Sequence, residues 1–260
     1  MSFSFFKASR SRPGPSELAR AIKDSLLALD TKTFAKALEE VEKNILSMKH
    51  MICGDGETEP NQDQVTQLAT EICKEDVLSL FVQKLPSLGW DARKDLAYCW
   101  GILLRQQVGS TSICVDYIEN HLELLDFLVF CYNNKETALN CGNMLRECIK
   151  YPSLAKYVLE STSFELFFKY VELPNFDIAS DALATFKDLL TKHETAVSQY
   201  LSVHYEEAIG ISKLCDKKAI LEVSFGIPFG ASKFTNNEAL HPRSSILEDN
   251  DGFVEGKPDE

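Results

Sequence analysis

Three stretches of the chain decide its fold: DARKDLAYCWGILLR (Asp91–Arg105), KETALNCGNMLRECI (Lys135–Ile149) and DIASDALATFKDLLT (Asp177–Thr191). They align without gaps, and their starts lie 44 and 42 residues apart. Small residues recur in mid-stretch: Ala97, then Cys141 and Gly142, then Ala182 and Ala184. A large apolar residue follows each time (Trp100, Met144, Phe186), and another comes one turn later, at Leu104, Cys148 and Leu190. Apolar residues spaced by three and four mark one face of an α-helix. Self-similarity at about 40–47 residues is the armadillo/HEAT period. One such unit cannot bury its apolar face alone, so neighbours stack into a solenoid, and small residues let their helices approach closely.

Outward from these stretches the same periodicity runs from Ser16 to about Tyr205. Leu18, Ala19, Ile22, Leu26 and Leu29 form one stripe, and Phe34, Leu38, Val41, Ile45 and Met48 form the next. Ser16 is read as the first N-cap and Pro15 as the end of an arm. The acidic GDGETEPNQDQ (Gly54–Gln64) reads as a loop, and PNF before Asp177 as the start of the longest helix. No stretch before residue 205 alternates with a strand's period of two. The expected architecture is all-α: an arm over 1–15, an armadillo/HEAT-like right-handed helical-repeat solenoid over 16–205, and a divergent tail over 206–260. The tail from Leu221 on holds three of the nine prolines and four of the twelve glycines, ends acidic, and is expected to be irregular and disordered.

Composition narrows the function. A net charge of -12 argues against a nucleic-acid partner, which needs a basic stripe, and against attraction to anionic membranes. The most apolar run, Leu122–Tyr132, is interrupted by Glu123 and Asp126 and is too short to span a bilayer. The N-terminal MSFSFFKASRSRP has its basic residues after the aromatics and lacks the apolar core of a secretory signal. Lys7, Arg10 and Arg12 there read as a solubilising terminus. The eight cysteines form no C-x-x-C pair and mostly fall in apolar helical patterns. They are expected to be reduced core residues of a cytoplasmic protein.

Reactive constellations are missing from the sequence. His50, His121, His193, His204 and His241 include no pair at i, i+4, and there is no G-x-S-x-G elbow, Walker A loop or G-x-G-x-x-G. Asp55, Glu57 and Glu59 alternate as in a calcium loop, but position six is Pro60 where glycine is needed, and position twelve is Thr66 rather than glutamate. The chain is therefore expected to be no enzyme, with no cofactor, no metal and no small-molecule substrate. A protein-binding surface is left. In a solenoid one helix of each unit lines a concave face, and residues at the start of those helices are candidates: Arg93, Lys94, Phe176 and Asp177. Each has an ordinary alternative. Asp177 suits the positive end of a helix dipole, Phe176 suits a hydrophobic staple, and all four suit plain surface.

Two longer motifs carry a resemblance. ALNCGNMLRECI (Ala138–Ile149) and FDIASDALATFKDLLTKH (Phe176–His193) are similar to the mouse-protein-25 family, also called calcium-binding protein 39. FSFFK (Phe3–Lys7), RKD (Arg93–Asp95), LLRQQVG (Leu103–Gly109), YVE (Tyr170–Glu172) and HY (His204–Tyr205) match in the same order. The resemblance implies an armadillo-like scaffold that binds sterile-twenty-like protein kinases and their pseudokinase relatives. Its concave face would hold the kinase in its active conformation by differential affinity. On this resemblance Lys94 matches a basic residue of the kinase-facing surface and Phe176 an aromatic there. The resemblance stops near Tyr205, where the family continues through further helices that include a pocket for a Trp-Glu-Phe-type tail. Codons chosen for Leu214–Glu222 and shifted by one nucleotide give YVTKRQSL, which is family-like. That predicts a splice change or indel between codons 205 and 214. The alternatives are an assembly protein with a non-kinase partner and a non-functional truncated splice product.

Overall fold

The computed structural model describes residues 13–204, apart from 32, 55, 57 and 58. The basic arm, the acidic pair Asp55 and Glu57, Cys215 and the expected tail lie outside these residues.

Twelve α-helices follow one another among the described residues. The first two, α1 (Pro15–Ala28) and α2 (Phe34–Cys53), form a pair. Three units of three helices come next: α3 (Gln62–Lys74), α4 (Val77–Lys84) and α5 (Trp90–Leu104); α6 (Ile113–Glu119), α7 (Glu123–Phe130) and α8 (Ala138–Cys148); α9 (Pro152–Glu160), α10 (Leu166–Tyr170) and α11 (Phe176–Thr191). The last, α12 (Glu194–Val203), opens a further unit. Equivalent helices pack on one another: α3 on α6, α6 on α9, α9 on α12, and, most extensively, α2 on α5, α5 on α8 and α8 on α11. This is the expected helical-repeat solenoid, and α2–α5–α8–α11 is its longest ladder.

The repeat residues hold the ladder as their spacing requires. Trp100, Met144 and Phe186 are buried, as are Leu104, Cys148 and Leu190 one turn on. Burying a side chain of this size contributes about 1.5–3 kcal/mol. The Trp100 indole N–H donates to Cys148 Sγ (3.4 Å), tying one repeat to the next. Tyr151 donates to the Leu104 carbonyl (2.8 Å), and His193 Nε2 lies 2.8 Å from the Ile149 carbonyl. Each ladder seam also carries an ion pair: Lys49–Asp95 (2.6 Å), Arg105–Glu147 (3.3 Å) and Arg146–Asp181 (2.7 Å).

Two glycines, one of them outside the recurring small positions, let a neighbouring carboxylate approach. A Cβ on Gly101 would press on the Glu147 carboxylate. On Gly142 it would overlap the Asp181 carboxylate and the Tyr132 hydroxyl. Ala97, Cys141 and Ala182 are buried as expected, whereas Ala184 faces solvent.

Several boundaries differ from the sequence reading. Gly14, not Ser16, is the first N-cap, and Pro15 is the first helical residue, where its lacking N–H costs nothing. The longest described helix is α2, at 20 residues, against 16 for α11. Phe34 is exposed and Leu38 half-buried, because Ala37 takes the inward place ahead of Val41, Ile45 and Met48. A two-residue hairpin, β1 (Gln107–Val108) and β2 (Thr111–Ser112), joins α5 to α6. It turns at Gly109 with φ +63, which suits glycine. Five of the seven described cysteines are buried, and Cys53 and Cys73 are half-buried; all seven are free thiols.

Candidate protein-interaction face

The solvent side of α5 is built by four-residue steps. Trp90, Lys94 and Tyr98 stand one turn apart, and all three are exposed while Leu96, Cys99 and Trp100 face inward. Trp90 opens the helix behind the N-cap Gly89 and is 64% exposed. Lys94 Nζ sits 5.2 Å from the centre of its ring, a cation–π contact worth about 0.5–1 kcal/mol at an exposed site. The ammonium is thereby held over an apolar plate. Further along, α5 and α8 border a groove of about 190 Å³ lined by Tyr98, Gly101, Arg105, Asn143 and Glu147.

Two repeats on, α11 starts in the same way. Phe176 is its first residue and is 67% exposed. Its N-cap is Asn175, whose side-chain oxygen accepts from the Ile178 N–H (3.1 Å). Asn61 does the same for Gln64 at the start of α3, again at 3.1 Å. Each is preceded by proline, so Pro-Asn is the signal that marks both starts. Asp177, exposed in the first turn of α11, lies at the positive end of the helix dipole. Phe176 is too exposed to be a staple. With helices packed about 8–10 Å apart, Trp90 and Phe176 are separated by two ladder steps, roughly 20 Å.

Of the four residues picked from sequence, Lys94, Phe176 and Asp177 are open to solvent. Arg93 is not. It is 7% exposed and donates through Nη1 to the Glu136 carbonyl (2.7 Å), while Nη2 lies 3.6 Å from the Glu136 carboxylate. Its Nε has no hydrogen-bond partner within the described residues. The helix turns Arg93 toward the loop ahead of α8, so it braces the seam behind the face. Trp90 and Tyr98 were missed. The aligned stretch begins at Asp91, one residue past Trp90, and Tyr98 passes in sequence for part of the apolar stripe.

A second depression, of about 560 Å³, lies at α7 and α10, where Glu123, Asp126 and Phe130 meet Thr162 and Ser163. Asp126 is engaged there, accepting from Tyr157 (2.6 Å) and Ser163 (2.7 Å). The Asp126 carboxylate and partial burial push the Tyr157 phenol up to about 12. Among the described residues no group of three or more His, Cys, Asp or Glu is placed to hold a metal ion. No described helix is long and apolar enough to cross a membrane.

Comparison with known proteins agrees with the helical-repeat fold. The Mo25-like family profile matches residues 4–218, which reaches past Tyr205 into the stretch read as divergent. A human protein named calcium-binding protein 39-like is 42% identical over 200 residues, covering 76% of this chain and 59% of that protein. A putative MO25-like protein of Arabidopsis thaliana is 41% identical over 196 residues (72% and 57%), and MO25-like protein 2 of Caenorhabditis elegans is 37% identical over 203 residues (75% and 60%). The chain thus spans about three fifths of the length of these relatives. With its ladder of repeats and a profile match over most of its length, the chain belongs to the Mo25-like family.

Proposed function

We propose that this protein is a non-catalytic cytoplasmic scaffold that binds a sterile-twenty-like protein kinase or pseudokinase through the α5–α8–α11 side of the ladder and favours its active conformation. The observation that carries the reading is the pairing of Trp90 and Phe176. Large aromatics are costly to leave in water, yet both stand exposed at the first position of equivalent ladder helices. Exposed aromatics with a held cation are the residues that anchor protein partners. Lys94 over Trp90 supplies the charge, Asp177 adds an acid beside Phe176, and Arg93 keeps α5 in register from behind. Activation follows if the face prefers the active conformer, since a ligand shifts an equilibrium only by its differential affinity.

The test is a pull-down of the full chain with a sterile-twenty-like kinase domain, joined to an assay of that kinase's activity. Phe176→Ala and Lys94→Glu should each weaken binding at least about tenfold, about 1.4 kcal/mol, with the helical content unchanged. Equal binding by wild type and both variants sinks this face. Binding without a rise in kinase activity removes the activating role and leaves a decoy.

A further inference from the structure

Cys73 and Cys114 lie 41 residues apart in the sequence, on α3 and α6 of successive repeats, yet their sulfurs are 3.5 Å apart. We propose that this pair is a dithiol modification site, which a peroxide converts to a disulfide that clasps the first repeat to the second. The inference rests on the fold and is independent of the partner.

Geometry makes the bond reachable. A disulfide needs sulfurs about 2.05 Å apart, so they must close by about 1.5 Å, within the reach of side-chain rotation between helices already packed together. The two sulfurs are also differently placed. Cys73 is half-buried and open enough to meet a small oxidant, while Cys114 is fully buried. Contact with Cys73, reinforced by burial, pushes the Cys114 thiol well above the ordinary range. Cys114 therefore keeps its proton, and Cys73 is the sulfur that meets the oxidant. Cys73 Sγ also lies 3.9 Å from the Ile113 carbonyl oxygen, which holds it at the start of α6. Nearby, the Gln106 side-chain oxygen accepts from Gln62 (2.7 Å) and Thr66 (3.0 Å), pinning α3 against the α5–α6 connection and keeping the two sulfurs in register.

The chemistry balances with hydrogen peroxide as oxidant. The Cys73 sulfur gives up its proton and attacks one peroxide oxygen; the O–O bond breaks, Cys73 becomes a sulfenic acid, and the departing hydroxide takes up that proton and leaves as water. Cys114 Sγ then attacks the Cys73 sulfur; the S–S bond forms, the S–O bond breaks, and a second water carries off the Cys114 proton. Two thiols and one peroxide give one disulfide and two waters, with two electrons passed to the peroxide. A low-molecular-weight thiol reverses it by exchange. Two other cysteine pairs provide internal comparison. Cys131 and Cys141 are in contact but both buried, so an oxidant reaches them later. Cys53 is half-buried beside Cys99, whose thiol burial holds strongly protonated.

The experiment treats the full chain with hydrogen peroxide, blocks remaining thiols with iodoacetamide under denaturing conditions, digests it and reads the peptides by mass. The expected product is a pair of peptides joined through Cys73 and Cys114, two hydrogens lighter than the reduced pair and released by dithiothreitol. Its melting temperature should rise by several degrees. The product should vanish in Cys73→Ser, a half-buried change that leaves the core filled, and persist in Cys53→Ser. Should Cys114→Ser fail to fold, Cys73→Ser carries the test alone. The proposal is overturned if Cys73 goes to sulfinic acid while Cys114 stays free, if another pair links first, or if neither sulfur reacts at a dose that oxidises a free-thiol standard.

Discussion

Two seams of the same ladder use one device with different outcomes. Where α5 meets α8, Gly101 makes room for Glu147, which also pairs with Arg105 and Lys150 at the edge of the groove. Where α8 meets α11, Gly142 makes room for Asp181, which accepts from Tyr132 (2.7 Å) and pairs with Arg146. Thr185 joins the second site, 2.8 Å from the Tyr132 hydroxyl and accepting from Arg146 at 3.0 Å. The Arg105 guanidinium is exposed, whereas Tyr132 and Thr185 are sealed in and Arg146 is half-buried. A carboxylate against a glycine is thus a loose clip when water can replace it, and a structural lock when it cannot.

The comparison can be broken by mutation, starting with its largest consequence. Asp181→Ala removes the carboxylate that Arg146 and the Tyr132 hydroxyl share in a half-buried site, leaving them the Thr185 hydroxyl, and should cost about 3 kcal/mol in chemical denaturation. Gly142→Ala gains about 1 kcal/mol of helix propensity but overlaps two groups that have nowhere to go. The net loss should be about 2 kcal/mol; a neutral result would mean that the lock is soft. Gly101→Ala gains the same propensity while Glu147 swings into solvent, so its net effect should lie within about 1 kcal/mol of zero. Arg105→Ala should change stability by less than about 0.5 kcal/mol.

Acidity separates the seams as well. Burial, followed by the nearby Asp181 charge, pushes the Tyr132 phenol well above its ordinary value. The folded chain therefore keeps a proton that the unfolded chain releases near pH 10. This contribution is whole below about pH 10 and is lost as pH rises further. The melting temperature of Tyr132→Phe should fall less steeply between pH 10 and 11 than that of the wild type. Parallel curves would show that Tyr132 titrates as in water.

The ladder was legible in the sequence because its core is periodic. Trp100, Met144 and Phe186 stand at one alignment position, and Leu104, Cys148 and Leu190 at another, and all six are buried. What the sequence hid depends on rotation about a helix and on partners from other repeats. Arg93 and Lys94 are adjacent basic residues, yet one turns inward to Glu136 and the other outward over Trp90. No period distinguishes them, because a helix advances about 100° per residue and the boundary of the apolar stripe falls between the two. The Cys73–Cys114 contact was equally hidden. Both residues fit the apolar pattern of their own helices, and only the stacking of repeats brings them together.

The placement of the two tryptophans has a spectroscopic consequence. Trp90 and Trp100 are the only indoles in the chain and share α5, one in water against a lysine and the other sealed against a cysteine sulfur. Emission near the wet-indole wavelength comes from Trp90 and is open to an aqueous quencher, while blue-shifted emission from Trp100 follows the packing of the array. A partner settling on the ladder would shield the first signal and leave the second unchanged. Unfolding would merge them. One helix thus carries separate optical reporters for occupancy and for integrity, without a label.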